Sequence, residues 1–299
     1  MRDAKGFRSG FAVLAGAPNA GKSTLMNRLA GGSLAVVSPK PQTTRENLLA
    51  ICDGEDHQLV LLDTPGFLTP KYKLQELMLS SINRAVRDDA DVICFVAEPF
   101  QPGDKERALA DILAKLKTPV IIAVNKSDTI SREAAGKILN EYKRMLSPKA
   151  AYIISAKRGD GVEELRKTLI AALPVGDAYF PAGQWTDRWE RHFASEFVRE
   201  QLFTLYDKEI PYSCAAVTES FQENKTSPDC VRVAVYVEKD SQKPILIGHG
   251  GSMIKKLREA AQKRLEDFLG RKVRLELIIK VAKNWRSDSS RLKEFGYDG

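Results

Sequence analysis

The sequence predicts the α/β class, a three-layer, mostly parallel sheet followed by a smaller α+β unit. Strand and helix patterns alternate from Phe11 to Leu173, as expected of a parallel sheet covered on both faces. A glycine-containing loop, Gly16 to Thr24, separates the first strand from the first helix. The stretch Pro174 to Trp185, punctuated by Pro174, Gly176, Pro181 and Gly183, reads as a linker, and beyond it the order becomes helix, two strands, helix, strand. This division places one domain at residues 1–175, a linker at 176–186 and a second domain at 187–299.

The 299 residues, 43% of them apolar, suffice for two hydrophobic cores, and a net charge of +7 permits a polyanionic partner without requiring one. Cys52, Cys94, Cys214 and Cys230 form no C-x-x-C pair and read as small buried hydrophobes in a reducing compartment. Neither a signal peptide nor an apolar run of membrane-spanning length is present, so a cytoplasmic protein is expected.

The first strand, Phe11 to Ala15, runs into Gly16-Ala17-Pro18-Asn19-Ala20-Gly21-Lys22-Ser23-Thr24. The spacing G-x-x-x-x-G-K-[ST] lets backbone N–H groups curl around a polyphosphate at a helix N-terminus. Gly16 and Gly21 permit close approach, Lys22 reaches the β- and γ-phosphates, and the Ser23 hydroxyl can ligate Mg²⁺. Leu25, Met26 and Leu29 continue at helical spacing.

Residues 33–45 have loop chemistry, ending in Gln42-Thr43-Thr44-Arg45. A threonine there is a natural second hydroxyl ligand for Mg²⁺, ordered when the γ-phosphate is present. Thr44 is the better candidate, and Arg45, directly after it, should point away from the phosphates. Leu48 to Ile51 and Leu59 to Leu62 flank the acidic turn Asp53-Gly54-Glu55-Asp56 and read as a hairpin.

The second of these runs ends in Asp63-Thr64-Pro65-Gly66. Asp63 can hold Mg²⁺, and the Gly66 N–H can approach the γ-phosphate. Phe67 follows, where a glutamine would orient the attacking water. Phenylalanine cannot, so the water must be positioned otherwise.

Helices are then expected at 74–87, 105–117, 134–146 and 162–173, with strands at 92–96, 120–124 and 152–154. Asn125-Lys126-Ser127-Asp128 follows one strand and Ser155-Ala156-Lys157 another, at the carboxyl ends where such sheets bind ligands. The Asp128 carboxylate can accept from guanine N1–H and the exocyclic amine together, a contact adenine cannot return. The Ala156 N–H is the expected donor to guanine O6.

The motifs G-x-P-N-x-G-K-S-T, P-x-T-T-R, D-T-P-G, N-K-x-D and S-A-K resemble the TrmE-Era-EngA group of bacterial translation GTPases over residues 10–173. The resemblance implies a P-loop GTPase domain with GTP/GDP and Mg²⁺, and Lys22, Thr44 and Gly66 as its catalytic residues. In that group a hydrophobic residue replaces the catalytic glutamine, and Phe67 fits. Members with Asn in the phosphate loop, here Asn19, are similar in using K⁺ beside the phosphates.

Beyond the linker, residues 187–208 carry Phe193, Phe197, Leu202 and Leu205 on one side of a helical pattern. Strands are expected at 213–221 and 231–237. Ile247-Gly248-His249-Gly250-Gly251 then opens a helix whose Ile254, Leu257, Ala261, Leu265 and Phe268 define a buried face, and a strand follows at 273–281. The glycines would let a nucleic-acid backbone approach, with Lys255 and Lys256 on its phosphates. The pattern I-G-x-x-G-x-x-I-K-K in this order resembles the type II KH RNA-binding domain. Trp285, Leu292, Phe295 and Tyr297 suggest a short final helix docking beside the RNA path.

A GTPase of this group joined to one KH domain resembles the Era family over nearly the whole chain. That implies a monomer binding 16S ribosomal RNA near its 3′ end during 30S subunit assembly, with peripheral contact at the inner membrane surface. Two readings stay open beside it: an RNA-binding module whose nucleotide is structural, and a GTPase acting on tRNA or the large subunit.

Overall fold

The computed structural model describes residues 6–297. Strands β1 (Arg8–Ala15), β2 (Leu48–Asp53), β3 (His57–Asp63), β4 (Val92–Ala97), β5 (Val120–Val124) and β6 (Ala150–Ile153) form one sheet in the order β2-β3-β1-β4-β5-β6. Every pairing is parallel except β2 with β3. Those two are joined by the expected hairpin, closed by the Gly54 N–H donating to the His57 carbonyl at 2.8 Å. β4 and β5 are apolar throughout and fully buried, as strands covered on both faces must be.

The covering helices are α1 (Lys22–Ala30), α2 (Lys73–Arg84), α3 (Asp104–Leu113), α4 (Arg132–Met145) and α5 (Val162–Ala172). The expected helix over 74–87 ends at Arg84 and widens into a π turn over Ala85–Asp89. β3 and β4 flank β1 on opposite sides, so the connections leaving β1 and β3 open a crevice at the strands' carboxyl ends.

The linker is not a free spacer. The Ile51 N–H on edge strand β2 donates to the Trp185 carbonyl at 2.9 Å, and Gln58 bonds both the N–H and the carbonyl of Phe180. It uses the backbone donors that an edge strand leaves unpaired.

The second unit comprises α6 (Glu190–Leu205), α7 (Ile210–Ser213), β7 (Ala215–Gln222), β8 (Asp229–Val237), α8 (Gln242–Ile247), α9 (Ser252–Leu269) and β9 (Val273–Val281). Its sheet order is β7-β8-β9, with β7 antiparallel and β9 parallel to β8. α6 and α9 pack together through Phe193, Phe197 and Phe268, whose rings lie 4.5 to 6.0 Å apart.

Two expectations need correction. Cys230 is exposed, because the alternation of β8 turns it outward while Val231 and Val233 face the core. The final helix, α10 (Ser289–Glu294), does form, but Trp285, Leu292, Phe295 and Tyr297 are buried against Leu68, Leu74 and Met78 of the first domain. Four large apolar groups meet the apolar face of α2, and the tail becomes part of an interdomain core. Among the described residues no helix is long and apolar enough to cross a membrane.

Candidate functional site

Gly21, in the left-handed region at φ 92°, caps α1 at the end of the phosphate loop. A Cβ at Gly16 would lie 2.1 Å from the Val96 carbonyl oxygen, and one at Gly21 would lie 2.3 Å from Asn125 Nδ2. Both glycines are therefore demanded by the loop's seat on the sheet. Lys22 is buried and donates to the Gly16 and Ala17 carbonyls at 3.1 and 2.9 Å. Burial lowers its pKa to about 8 against the opposing pull of Asp63 and Glu98, so an anion in the crevice would meet a lysine ready to hold charge.

Three oxygen atoms from distant parts of the chain converge beside it. The Ser23 hydroxyl donates to Asp63 Oδ2 at 2.6 Å, Thr44 Oγ1 lies 3.2 Å from the same oxygen, and the two hydroxyls are 3.0 Å apart. The other carboxylate oxygen, Asp63 Oδ1, is buried with no hydrogen-bond partner among the described residues. Burial pushes the Asp63 carboxyl up, opposed by Lys22 and by the two hydroxyls. Two hydroxyls and a carboxylate with an unused lone pair fit a hard divalent cation such as Mg²⁺. Thr43 is excluded from this cluster, since its hydroxyl donates to the Lys40 carbonyl.

The segment after β3 is seated by its backbone. Thr64 is buried with its hydroxyl donating to the Leu14 carbonyl, so it fixes the strand end. The Phe67 N–H donates to the Gly16 carbonyl at 3.0 Å, while its half-buried ring packs on the core beneath. A Cβ at Gly66 would lie 2.5 Å from Pro18 Cα, so only glycine lets this segment lie against the phosphate loop. The cleft between has a volume of about 570 Å³ and is lined by Asn19, Lys22, Ser23, Thr44, Gly66 and Lys157 among others. Pro18 and Thr24 also border it.

At the base end, Asn125 is a buried tie. Its Nδ2 donates to the Ala20 carbonyl and its Oδ1 accepts from the Ala156 N–H, both at 2.9 Å. Lys126 sits in the left-handed region and pairs with Glu98, and the Ser127 N–H bonds the Ile154 carbonyl. Ser155 donates to Asp128 Oδ1 at 2.6 Å, which holds the Asp128 carboxyl below its usual range and keeps it an acceptor. The Ala156 N–H, the expected donor to guanine O6, bonds Asn125 Oδ1 in this structure, and the next backbone donor, at Lys157, has no partner among the described residues.

The other predicted site lies on the second unit. Gly248, Gly250 and Gly251 all have positive φ, and a Cβ at Gly250 or Gly251 would meet nothing within 4 Å, so these two face open space. His249, Lys255 and Lys256 are exposed, and Ile245 and Ile247 are 53% and 40% exposed beside them. Ile254 is half-buried against the core. Neither Lys255 nor Lys256 forms an ion pair among the described residues, whereas Lys243, Arg264, Arg271, Lys272, Lys280 and Arg286 all do.

Sequence reasoning missed the residues that hold the Thr44 loop. Arg45 does point away from the phosphates, but into the second unit: it donates to the carbonyls of Cys214, Pro211 and Tyr212 and to the Tyr297 hydroxyl. Arg199 of α6 donates to the Thr43 carbonyl, and Lys40 pairs with Asp207. An available signal was the cluster of aromatic residues near the C-terminus, Trp285, Phe295 and Tyr297.

A phosphate loop feeding an oxygen cluster and a guanine-type base pocket, with an exposed GxxG loop on a second unit, defines a P-loop GTPase carrying a KH domain. Residues 11–126 match a family described as 50S ribosome-binding GTPase, and residues 209–286 match the KH domain. GTPase Era of Elusimicrobium minutum is 49% identical over 294 residues, 98% of each chain. GTPase Era of Lactobacillus helveticus is 40% identical, covering 98% of this chain and 97% of its own. The solved structure of an Aquifex aeolicus Era variant bound to GDP·AlF4⁻ is 31% identical with a TM-score of 0.94, over 98% of this chain and 100% of that one. A structure of Era in complex with MgGDPNP and nucleotides 1506–1542 of 16S ribosomal RNA is equally similar, with the same identity, TM-score and coverage. The chain belongs to the Era family of GTPases, and its reaction is the hydrolysis of GTP.

Proposed function

We propose that this protein binds small-subunit ribosomal RNA near its 3′ end through the KH domain, in a manner governed by bound GTP, and so acts in assembly of the 30S subunit. The observation that carries the reading is the pairing of a phosphate site with an exposed GxxG loop, followed on α9 by two lysines that form no ion pair among the described residues. A relative matched over the full chain holds MgGDPNP and a 16S fragment together, which supports it.

Within the site, Lys22 and the loop N–H groups bind the β- and γ-phosphates, Asp128 selects guanine, and Ser23, Thr44 and Asp63 hold Mg²⁺. When bound, that ion neutralises charge on the β- and γ-oxygens. Asn19 donates its Nδ2 to the Pro39 carbonyl, which leaves its side-chain oxygen to a monovalent cation, K⁺, beside the phosphates. Phe67 offers no group to orient water, so positive charge at the phosphates must do more of the work.

The nucleotide-domain family is described by 50S binding, which keeps large-subunit RNA as a second reading. A protein acting on either subunit works in the cytoplasm, and the peripheral membrane contact implied by the resemblance needs no spanning segment. The test is crosslinking followed by identification of the bound RNA, for wild type and for a variant carrying His249→Asp and Gly250→Asp. Recovery of 3′-terminal 16S RNA, lost in the variant while basal hydrolysis stays intact, is expected. Recovery of large-subunit RNA, or equal retention by the variant, would overturn the assignment.

A further inference from the structure

We propose that Arg45 is a positioning residue for GTP hydrolysis, holding Thr44 on the cation site from a socket built entirely of the KH domain and the C-terminal tail. This rests on the GTPase reading and assigns part of its machinery to the second domain.

Thr44 and Arg45 lie in irregular chain ahead of β2, and their side chains leave in different directions. The Thr44 hydroxyl faces Ser23 and Asp63, and the Arg45 side chain leaves in the other direction, only 5% exposed. Its Nη1 donates to the Cys214 carbonyl at 2.8 Å and to the Tyr297 hydroxyl at 3.2 Å. Its Nη2 reaches the Pro211 carbonyl at 3.1 Å and the Tyr212 carbonyl at 3.4 Å. The guanidinium carbon stands 5.6 Å from the Trp285 ring and 5.9 Å from the Phe203 ring.

The three carbonyls lie in α7 and at its end, where helix carbonyls lack intrahelical donors, and a planar fork satisfies several at once. Arg199 grips the preceding residue, donating to the Thr43 carbonyl. Thr44 is thus held on both sides by groups rooted in the other domain.

Residues 31–47 form no helix or strand of their own. Side chains of the first domain also tie this segment, Asn27 to Ala35, Asn19 to Pro39, Tyr72 and Gln75 to the Gln42 side chain, and Asn47 to the Ser81 carbonyl, but none of these bonds reaches Thr43 or Arg45. Without the socket, the Thr44 oxygen would be placed only by these flanking ties and by its own contacts with Ser23 and Asp63. Misplacing a group by about 1 Å can cost about 10²-fold in rate.

The experiment measures binding of GDP and of a non-hydrolysable GTP analogue across a Mg²⁺ titration, together with turnover, for full-length wild type, Arg45→Ala and Arg45→Lys. Arg45→Ala should bind GDP within about twofold of wild type, need more Mg²⁺ to bind the analogue, and turn over about 10- to 100-fold more slowly. Arg45→Lys keeps the charge but not the fork, so it should shift the Mg²⁺ requirement in the same direction by less, and it serves if Arg45→Ala does not fold. An unchanged Mg²⁺ requirement overturns the proposal, and so does an equal loss of GDP and analogue, which would mean that Arg45 only stabilises the fold. Turnover by wild type in the same assay reports separately on the GTPase reading.

Discussion

The two ends of the nucleotide cleft are built differently. The base end is closed within one domain: Asn125 ties the Ala20 carbonyl to the Ala156 N–H, and Ser155 holds Asp128, all on loops leaving buried strands. The γ-phosphate end is completed from outside, because Thr44 lies between Thr43, held by Arg199, and Arg45, held by α7 and Tyr297. A nucleoside diphosphate needs the first end, and only a triphosphate with its cation tests the second. The difference teaches that guanine recognition can be rigid while sensing of the third phosphate is tied to how the KH domain sits.

The largest expected effect lies at the rigid end. Asp128→Asn removes an acceptor and adds a donor, so preference should move from GTP toward XTP by about a hundredfold or more. If the comparison holds, the Mg²⁺ requirement of the bound triphosphate stays as in wild type. Competition binding that showed unchanged GTP preference would remove Asp128 from base reading.

Next comes the cation beside the phosphates. Hydrolysis should be about tenfold faster in KCl than in NaCl at equal ionic strength, well below the gain an arginine finger supplies. Asn19→Ala should abolish the difference while GDP binding stays nearly intact. Equal wild-type rates in the two salts, with and without RNA, would sink the cation reading.

Much of the first end was legible because its chemistry is contiguous. Gly16 to Thr24 and Asn125 to Asp128 each carry loop geometry and ligand groups in one short run, and a preceding apolar strand places them. Asp63 and Thr44 were legible, Thr44 already as the better of two threonines, and in the structure its hydroxyl lies 3.2 Å from Asp63 Oδ2 while that of Thr43 donates to the Lys40 carbonyl. The Arg45 socket was not legible: its partners lie 166 to 252 residues away, and no periodicity or local propensity encodes a contact of that range. The use of Ala156 by Asn125 was hidden for the same reason, since motif spacing names donors but not which acceptor arrives first.

A smaller effect is expected from acid. Burial disfavours ionised Glu196, but Arg199, with help from His192 and Arg45, outweighs it and holds the carboxyl below its ordinary 4.5. A depressed carboxylate pKa stabilises the folded state, in which charged Glu196 orients Arg199 toward Thr43, above 4.5, and that contribution is lost as pH falls through the lowered value. Trp285 is buried at the interface while Trp185 and Trp189 are exposed, so its fluorescence reports undocking once the other two are replaced by Phe. Acidification should expose Trp285 before the first domain loses GDP. Simultaneous loss of both would mean that the two ends do not differ in this way.

The smallest effect distinguishes the tail from the rest of the socket. Tyr297→Phe keeps the ring, which stacks 5.9 Å from Trp285, and removes only the hydroxyl that accepts from Arg45 Nη1 at 3.2 Å. The guanidinium retains its three carbonyls, so the loss should approach that of one hydrogen bond, about 1 kcal/mol. If docking and cation binding are coupled, affinity for a GTP analogue should fall by up to about fivefold, while affinity for GDP and preference for guanine remain unchanged. Equal weakening of GDP and the analogue would place the tail's contribution in general stability and leave the γ-phosphate end dependent on α6 and α7 alone.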